Sequence, residues 1–159
     1  MDRVFNQEGA QSFKEKWMSS IKVFTVLNTG SEVRSGRLAG SVLEDKMNEW
    51  LKSRRIDILG INQQVYEGED KTISPNVVLT LLYEDNPLAS KTKTRVFTLL
   101  NNSLVAVEVK DQSMGDVLDK VVNKWLNESH VDVLCTRTSL YGLGYSVKPS
   151  ILFTILYTL

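Results

Sequence analysis

The chain of 159 residues contains little of the side-chain chemistry on which catalytic and metal-binding sites depend. It has a single cysteine, Cys135, and a single histidine, His130. One cysteine excludes an intramolecular disulfide and a cysteine-based metal site, and it fits a reducing compartment. One histidine excludes a two-histidine metal site and a relay between histidines. We therefore expect a protein that is not an enzyme and that has no catalytic residues, no metal and no cofactor.

The chain also lacks a charge of one sign and a long apolar run. Its 19 basic and 19 acidic residues give no formal net charge, whereas nucleic-acid-binding proteins usually carry a basic surplus. No apolar run approaches the roughly 20 residues that span a bilayer, and residues 1–20 are too polar for a signal peptide. We therefore expect a cytoplasmic protein with neither a membrane nor a nucleic acid as its partner.

What the chain does have is an internal repeat. The segment Lys22–Asn28 returns 73 positions later, Val42–Tyr66 returns 75 positions later, and Pro75–Tyr83 returns 74 positions later. Of the 41 aligned pairs 17 are identical, and most of the identical residues are large and apolar. The offset changes only where loops are expected. We interpret this pattern as the duplication of one small unit with drift in its loops.

Each copy predicts the element order β-α-β-β, and hence an α+β fold. Runs rich in β-branched and aromatic residues predict the strands, and apolar residues at helical spacing predict helices over 42–53 and about 114–128. Ser41 and Glu44 form a candidate capping box ahead of the first helix. Alternating valines predict a further short strand over 104–110.

Two arrangements of the tandem units fit this pattern. Either the two units form one continuous antiparallel sheet with both helices packed on one face, a ferredoxin-like layout with extra strands, or each unit acts as a subunit would and the pair imitates a homodimer. The predicted first repeat covers 21–84, the linker 85–94 and the second repeat 95–159. Residues 1–20 form an N-terminal arm that is either a short docking helix or a partly ordered leader.

The third strand of each unit is apolar on both of its faces. Since side chains alternate along a strand, Val77 and Leu79 point to one face of the sheet, and Val78 and Leu82 point to the other. Two helices cover only one face, and a large exposed apolar face usually marks an interface. We therefore expect a homo-oligomer that packs through sheet faces or strand edges. The alternative is that residues 1–20 and the long loops cover the second face.

The best candidate site is the loop that precedes the first helix. Arg34, Gly36 and Arg37 lead into Ser41, close to a helix N-terminus, where backbone N–H groups favour anions and arginines reinforce that preference. Glycine also allows the loop to approach a phosphate closely. The spacing matches neither a Walker motif nor a dinucleotide-binding motif, and a plain solvated loop is the alternative. The candidate ligand-binding residues are Arg34, Gly36, Arg37, Ser41, Arg54, Arg55 and Tyr66.

Three short motifs lie in the helix, at the start of the second strand and at the end of the third, namely Leu43 with Asn48-Glu49-Trp50-Leu51, Ile56-Asp57-Ile58 and Leu82-Tyr83-Glu84. In these motifs each half resembles a small family of bacterial sporulation-associated proteins. The resemblance covers residues 22–84 and 95–157. It implies one β-α-β-β unit in each copy, and it implies neither a catalytic residue nor a settled function.

The expected function is that of a non-enzymatic, oligomeric binding protein. It would hold or sequester a small anionic or nucleotide-like ligand at loops or subunit boundaries. Two alternatives stay open: a protein-interaction or scaffold module with no small ligand, and an enzyme whose site assembles between subunits from Arg34, Arg37, Tyr66 and carboxylates. Because the copies share core residues and differ in loop chemistry, we expect any site on the first copy only.

Overall fold

The computed structural model describes residues 18–66, 75–100, 113–141 and 150–159. Within these ranges the chain is an α+β protein, as predicted. The strands and helices in chain order are β1 (Ser20–Val26), α1 (Ser31–Arg34), α2 (Ala39–Leu51), β2 (Ile56–Tyr66), β3 (Asn76–Asp85), β4 (Thr92–Leu99), α3 (Met114–Ser129), β5 (Asp132–Tyr141) and β6 (Ser150–Thr158). Most of the arm expected over 1–20, and the strand expected over 104–110, lie outside the described residues.

The six described strands form two separate antiparallel sheets. Sheet 1 has the order β1-β3-β2, and sheet 2 has the order β4-β6-β5. Strands β3 and β6 are central because they are apolar on both faces and pair along both edges. The first of the two predicted arrangements, one continuous sheet, is therefore wrong. Strand β4 begins at Thr92, within the segment predicted as the linker.

The two sheets share their strand register and their irregularity. The pairing of Phe24 with Leu79 in sheet 1 recurs in sheet 2 as the pairing of Phe97 with Phe153, which lie 73 and 74 positions further along the chain. The second strand of each sheet carries one register shift, at Ile58/Gly60 in β2 and at Val133/Cys135 in β5. A bulge bends its strand and increases the local twist, so both sheets bend at the same place.

The helices begin in different ways. α2 begins at Ala39 without a side-chain cap, so the capping box predicted for Ser41 and Glu44 is wrong, because both residues lie inside the helix. α3 does have a capping box, in which Ser113 Oγ accepts from the Asp116 N–H at 3.1 Å and the Asp116 carboxylate accepts from the Ser113 N–H at 3.1 Å. The Ser113 hydroxyl also donates to the Asp116 carboxylate at 2.8 Å, and this hydrogen bond, together with the one from the Ser113 N–H, lowers the pKa of Asp116.

In each of the two long helices, one tryptophan packs against aromatic residues of the helix's own sheet. Trp50 of α2 contacts Phe24 and Tyr83 edge-on, with ring centroids 5.7 and 5.1 Å apart. Trp125 of α3 repeats the same two separations against aromatic rings of β4 and β6. Edge-to-face aromatic pairs of this kind add about 0.5–1.5 kcal/mol each beyond the area they bury. Each tryptophan therefore packs its helix against aromatic residues of its own sheet.

Helix α2 lies between the two sheets and does not share one sheet face with α3. It contacts β1 and β3 on one side and β4 on the other. Three apolar residues of α2, Leu43, Met47 and Leu51, are consequently at most 1% exposed. α3 covers the opposite face of sheet 2, where Trp125 lies. The layers follow the order sheet 1, α2, sheet 2, α3.

Candidate functional site

The residues Arg34–Arg37, here called the arginine loop, connect α1 to α2. Arg34 ends α1, and Gly36 has a φ of 94°, a left-handed conformation that glycine adopts without strain. The local turn therefore explains Gly36 without any ligand. Ser41 lies in the first turn of α2 and is exposed. The four predicted residues of this region do lie in or beside the start of the helix.

Acidic side chains offset the positive charge of the arginine loop. The Arg37 guanidinium pairs with the Asp45 carboxylate and lies 3.9 Å from Glu32 Oε1. Lys46 Nζ lies 3.9 Å from Glu32 Oε2. Two cations and two carboxylates thus form one exposed network with no surplus charge. The Arg34 guanidinium is the group of the loop for which the described residues provide no such partner.

The other predicted arginines lie at the far end of α2. Arg54 lies 4.8 Å from the centre of the Trp50 ring and 3.3 Å from Asp85 Oδ1. Arg55 donates a hydrogen bond to the Ala89 carbonyl at 2.8 Å. Because α2 has 13 residues, about 20 Å of helix separates this pair from the arginine loop. The structure does not bring the two groups of arginines into one site.

A cleft of about 550 Å³ lies between β2 and β5, where the two units meet. Cys135 and Arg137 line it, and Arg137 Nε donates to the Ile61 carbonyl at 2.7 Å. Burial raises the pKa of the Cys135 thiol, more than nearby Arg137 lowers it. A nucleophilic cysteine needs the opposite shift. Tyr66, the last predicted residue, is half-exposed at the end of β2 and does not line the cleft.

The surface with the clearest chemical character is the outer face of sheet 1. It faces away from α2 and is here called the open face. Ile21 is 65% exposed, Val23 is 46% exposed and Leu82 is 39% exposed. On β1 and β3 the open face consists of Ile21, Val23, Thr25, Val78, Thr80 and Leu82, and the exposed polar residues Asn62 and Gln64 continue it on β2. The sequence predicted its apolar character from the two-sided pattern of β3.

The equivalent surface of sheet 2 is buried and is here called the covered face. Under the repeat offsets, its members are Thr94, Val96, Thr98, Leu152, Thr154 and Leu156. Thr154, Leu152 and Leu156 are 0% exposed, because α2 and β2 pack over them. Corresponding surfaces of the two sheets are therefore covered in sheet 2 and exposed in sheet 1. Sequence periodicity alone could not reveal this difference, since it depends on contacts between units.

Comparison with known proteins adds no further constraint. The chain matches no family model, no curated protein and no solved structure. None of the helices in the described ranges is long and apolar enough to cross a membrane. Among the same residues, histidine, cysteine and carboxylate side chains do not form a group of three that could hold a metal ion.

Proposed function

We propose that the chain is a tandem duplication of one β-α-β-β unit. The 17 identical pairs support this interpretation, and so do the shared register, the bulge at the same position and the matching tryptophan contacts. Unrelated units have no physical reason to agree in all of these features. The two units stack head to tail, because the helix of the first unit packs on the sheet of the second unit.

We further propose that the protein is a non-enzymatic scaffold that self-associates through the open face of sheet 1. One observation carries the proposal, namely the exposure of Ile21, Val23 and Leu82 on a surface whose counterpart in sheet 2 is buried. Contiguous apolar patches rimmed by polar residues usually mark protein interfaces. No described strand pairs with the outer edge of β1, and edge strands readily recruit a partner.

Sedimentation equilibrium from micromolar to millimolar protein tests this function. We expect the weight-average mass of the wild type to rise with concentration, and the Leu82→Glu variant to remain monomeric. Leu88→Glu is the matched control, because Leu88 is 94% exposed in the linker and outside the open face. Circular dichroism shows whether both variants keep their fold. A wild type that stays monomeric throughout would contradict the proposal.

An anionic ligand at the arginine loop is the second candidate, and it has less support. The Arg34 guanidinium, which has no acidic partner among the described residues, favours it, whereas the pairing of Arg37 with Asp45 opposes it. A thermal-shift screen with nucleotides, flavins and phosphorylated metabolites tests this candidate. Binding at the loop predicts a shift that is lost in the Arg34→Ala/Arg37→Ala variant. A shift that survives in that variant would place the ligand elsewhere.

A further inference from the structure

We propose that copies of this chain join head to tail, with α3 of one copy docked on the open face of sheet 1 of the next. This inference rests on the proposed self-association and names the surface that the open face receives. The intermolecular contact would reuse the contact that α2 makes with sheet 2 inside each chain. Each copy would then present two docking surfaces, the side of α3 that faces away from sheet 2 and the open face of sheet 1.

The contact inside the chain depends on Gly40, Glu44 and Asn48 of α2, which face β4. Asn48 binds the backbone of Thr94 twice, donating to its carbonyl at 2.9 Å and accepting from its N–H at 2.8 Å. Glu44 accepts from the Val96 N–H at 2.7 Å. Among the described strands β4 lies at the edge of its sheet, so these side chains satisfy backbone groups that no other described strand reaches.

A glycine allows the close approach. A Cβ atom on Gly40 would lie 2.2 Å from Thr98 Oγ1, 2.9 Å from Leu152 Cδ1 and 3.1 Å from Val96 Cγ1. The first two separations are below the range of real contacts between such atoms, so only glycine fits here without movement of its neighbours. The position is thus specific to a helix that packs on a covered sheet face.

Helix α3 has a glycine, an acidic residue and an asparagine at the same spacing as α2. Gly115, Asp119 and Asn123 lie 75 positions after Gly40, Glu44 and Asn48. In the isolated chain Asn123 Nδ2 donates to Asp119 Oδ1 at 3.0 Å, so the two polar groups bind each other. Of the described atoms within 4 Å, only Ser113 Oγ, at 3.6 Å, would meet a Cβ on Gly115. Nothing described inside the chain therefore requires this glycine.

The open face carries the matching receptor. Ile21 and Val23 of the edge strand β1 take the places of Thr94 and Val96, and Thr25 repeats the threonine at 98. Because the register is shared, the backbone groups of Ile21 and Val23 point out of the sheet edge as those of their counterparts do. Within the described residues, no side chain binds these backbone groups as Asn48 and Glu44 bind theirs.

The charges at this contact are complementary as well. Inside the chain Arg95 Nη1 lies 3.3 Å from Glu44 Oε1. Lys22 takes the place of Arg95, and each cation lies beside the phenylalanine two residues later, at 5.6 and 5.4 Å from the ring centre. Docking of α3 would therefore bring Asp119 of one copy close to Lys22 of the next.

The apolar flank of α3 is also incompletely covered. Val121 is 41% exposed. Three apolar residues of α3 remain partly exposed where their counterparts in α2 are at most 1% exposed, namely Leu118, Val122 and Leu126. A helix and a sheet face are different surfaces, so the contact is heterologous and does not stop at two copies. We expect a series of species larger than dimers.

A reciprocal charge exchange tests the proposal. Lys22→Glu and Asp119→Lys each place like charges at the contact, and each variant alone should self-associate about tenfold more weakly than the wild type. Mixing the two variants should restore association, because the helix of either chain then meets an opposite charge on the other. Lys91→Glu and Glu128→Lys are the control pair, since both residues are exposed outside the contact, and they should change neither the single nor the mixed samples.

The outcomes separate this proposal from the proposed function. If Leu82→Glu abolishes self-association but the charge variants do not weaken it, or if mixing them restores nothing, the head-to-tail contact is wrong and the scaffold function stands. Association that stops at a dimer indicates a symmetric contact between two open faces and also overturns the proposal. A monomeric wild type, as expected if residues 1–17 cover the open face within the chain, overturns both.

Discussion

Alanine at Gly40 and alanine at Gly115 should have opposite effects on this protein. At Gly40 the added methyl group would meet Thr98, Leu152 and Val96 at 2.2 to 3.1 Å. Overpacking of this kind costs about 1–3 kcal/mol, and the better helix propensity of alanine returns at most about 1 kcal/mol. We therefore expect Gly40→Ala to reduce the free energy of unfolding by about 1–2 kcal/mol.

At Gly115 the same methyl group would meet only Ser113 Oγ, at 3.6 Å, among the described atoms. The gain in helix propensity should then remain, up to about 1 kcal/mol. For a chain of this size 1 kcal/mol shifts Tm by about 2–4 °C. Gly115→Ala should thus raise Tm slightly, although the same substitution would obstruct docking of α3 against Thr25 and Val23 of the next copy.

Differential scanning calorimetry and sedimentation of the two variants test both halves of this expectation. Dilute samples report on the fold of the single chain, and concentrated samples report on assembly. A Tm that falls for Gly115→Ala as it does for Gly40→Ala would show that the chain itself needs Gly115. Unchanged assembly of a folded Gly115→Ala variant would refute the role given to this glycine.

Three further outcomes are expected. Asn48→Ala should lower the free energy of unfolding in urea by about 1–3 kcal/mol, because it leaves the backbone groups of Thr94 without partners. Asn123→Ala should leave the free energy of unfolding of dilute protein unchanged and should weaken assembly. Burial raises the pKa of Tyr141 to about 12, so the stability that the neutral phenol maintains is present below pH 10 and is lost as pH rises towards 12; the urea midpoint of Tyr141→Phe should decline less over that window. Arg37→Ala removes an exposed ion pair and should change the free energy of unfolding, measured by urea denaturation, by less than about 1 kcal/mol.

Local sequence patterns predicted the elements of this fold better than their arrangement. The period of the apolar residues identified both long helices, and the alternating pattern around Leu79 and Leu82 identified a strand that is apolar on both faces. The separation into two sheets depends on α2 packing against β4, and no local pattern encodes that contact. The polar Asn48 and its repeat at Asn123 were the available signal, because a duplicated polar residue on an apolar helix suggests a backbone partner.

The candidate site was harder to predict for a related reason. Arg37 in a loop near a helix start resembles an anion site, but its environment depends on Asp45, which α2 brings alongside it. The predicted capping box at Ser41 failed because the helix begins earlier, at Ala39, where no side chain marks the boundary. Charge and capping both depend on where a helix begins, which sequence patterns locate poorly.

Zero-length cross-linking between isotopically distinct copies of the wild type tests the head-to-tail contact most directly. A carbodiimide joins an amine to a carboxylate only when the two groups touch, so docking of α3 on the open face should join Lys22 of one copy to Asp119 of another. Equal mixtures of ¹⁴N and ¹⁵N protein distinguish such links from links within one chain. We expect Lys22–Asp119 peptides of mixed isotope composition. Links from Lys22 only to carboxylates of sheet 1 in another copy, such as Glu84, or no mixed links at all, would contradict the head-to-tail contact.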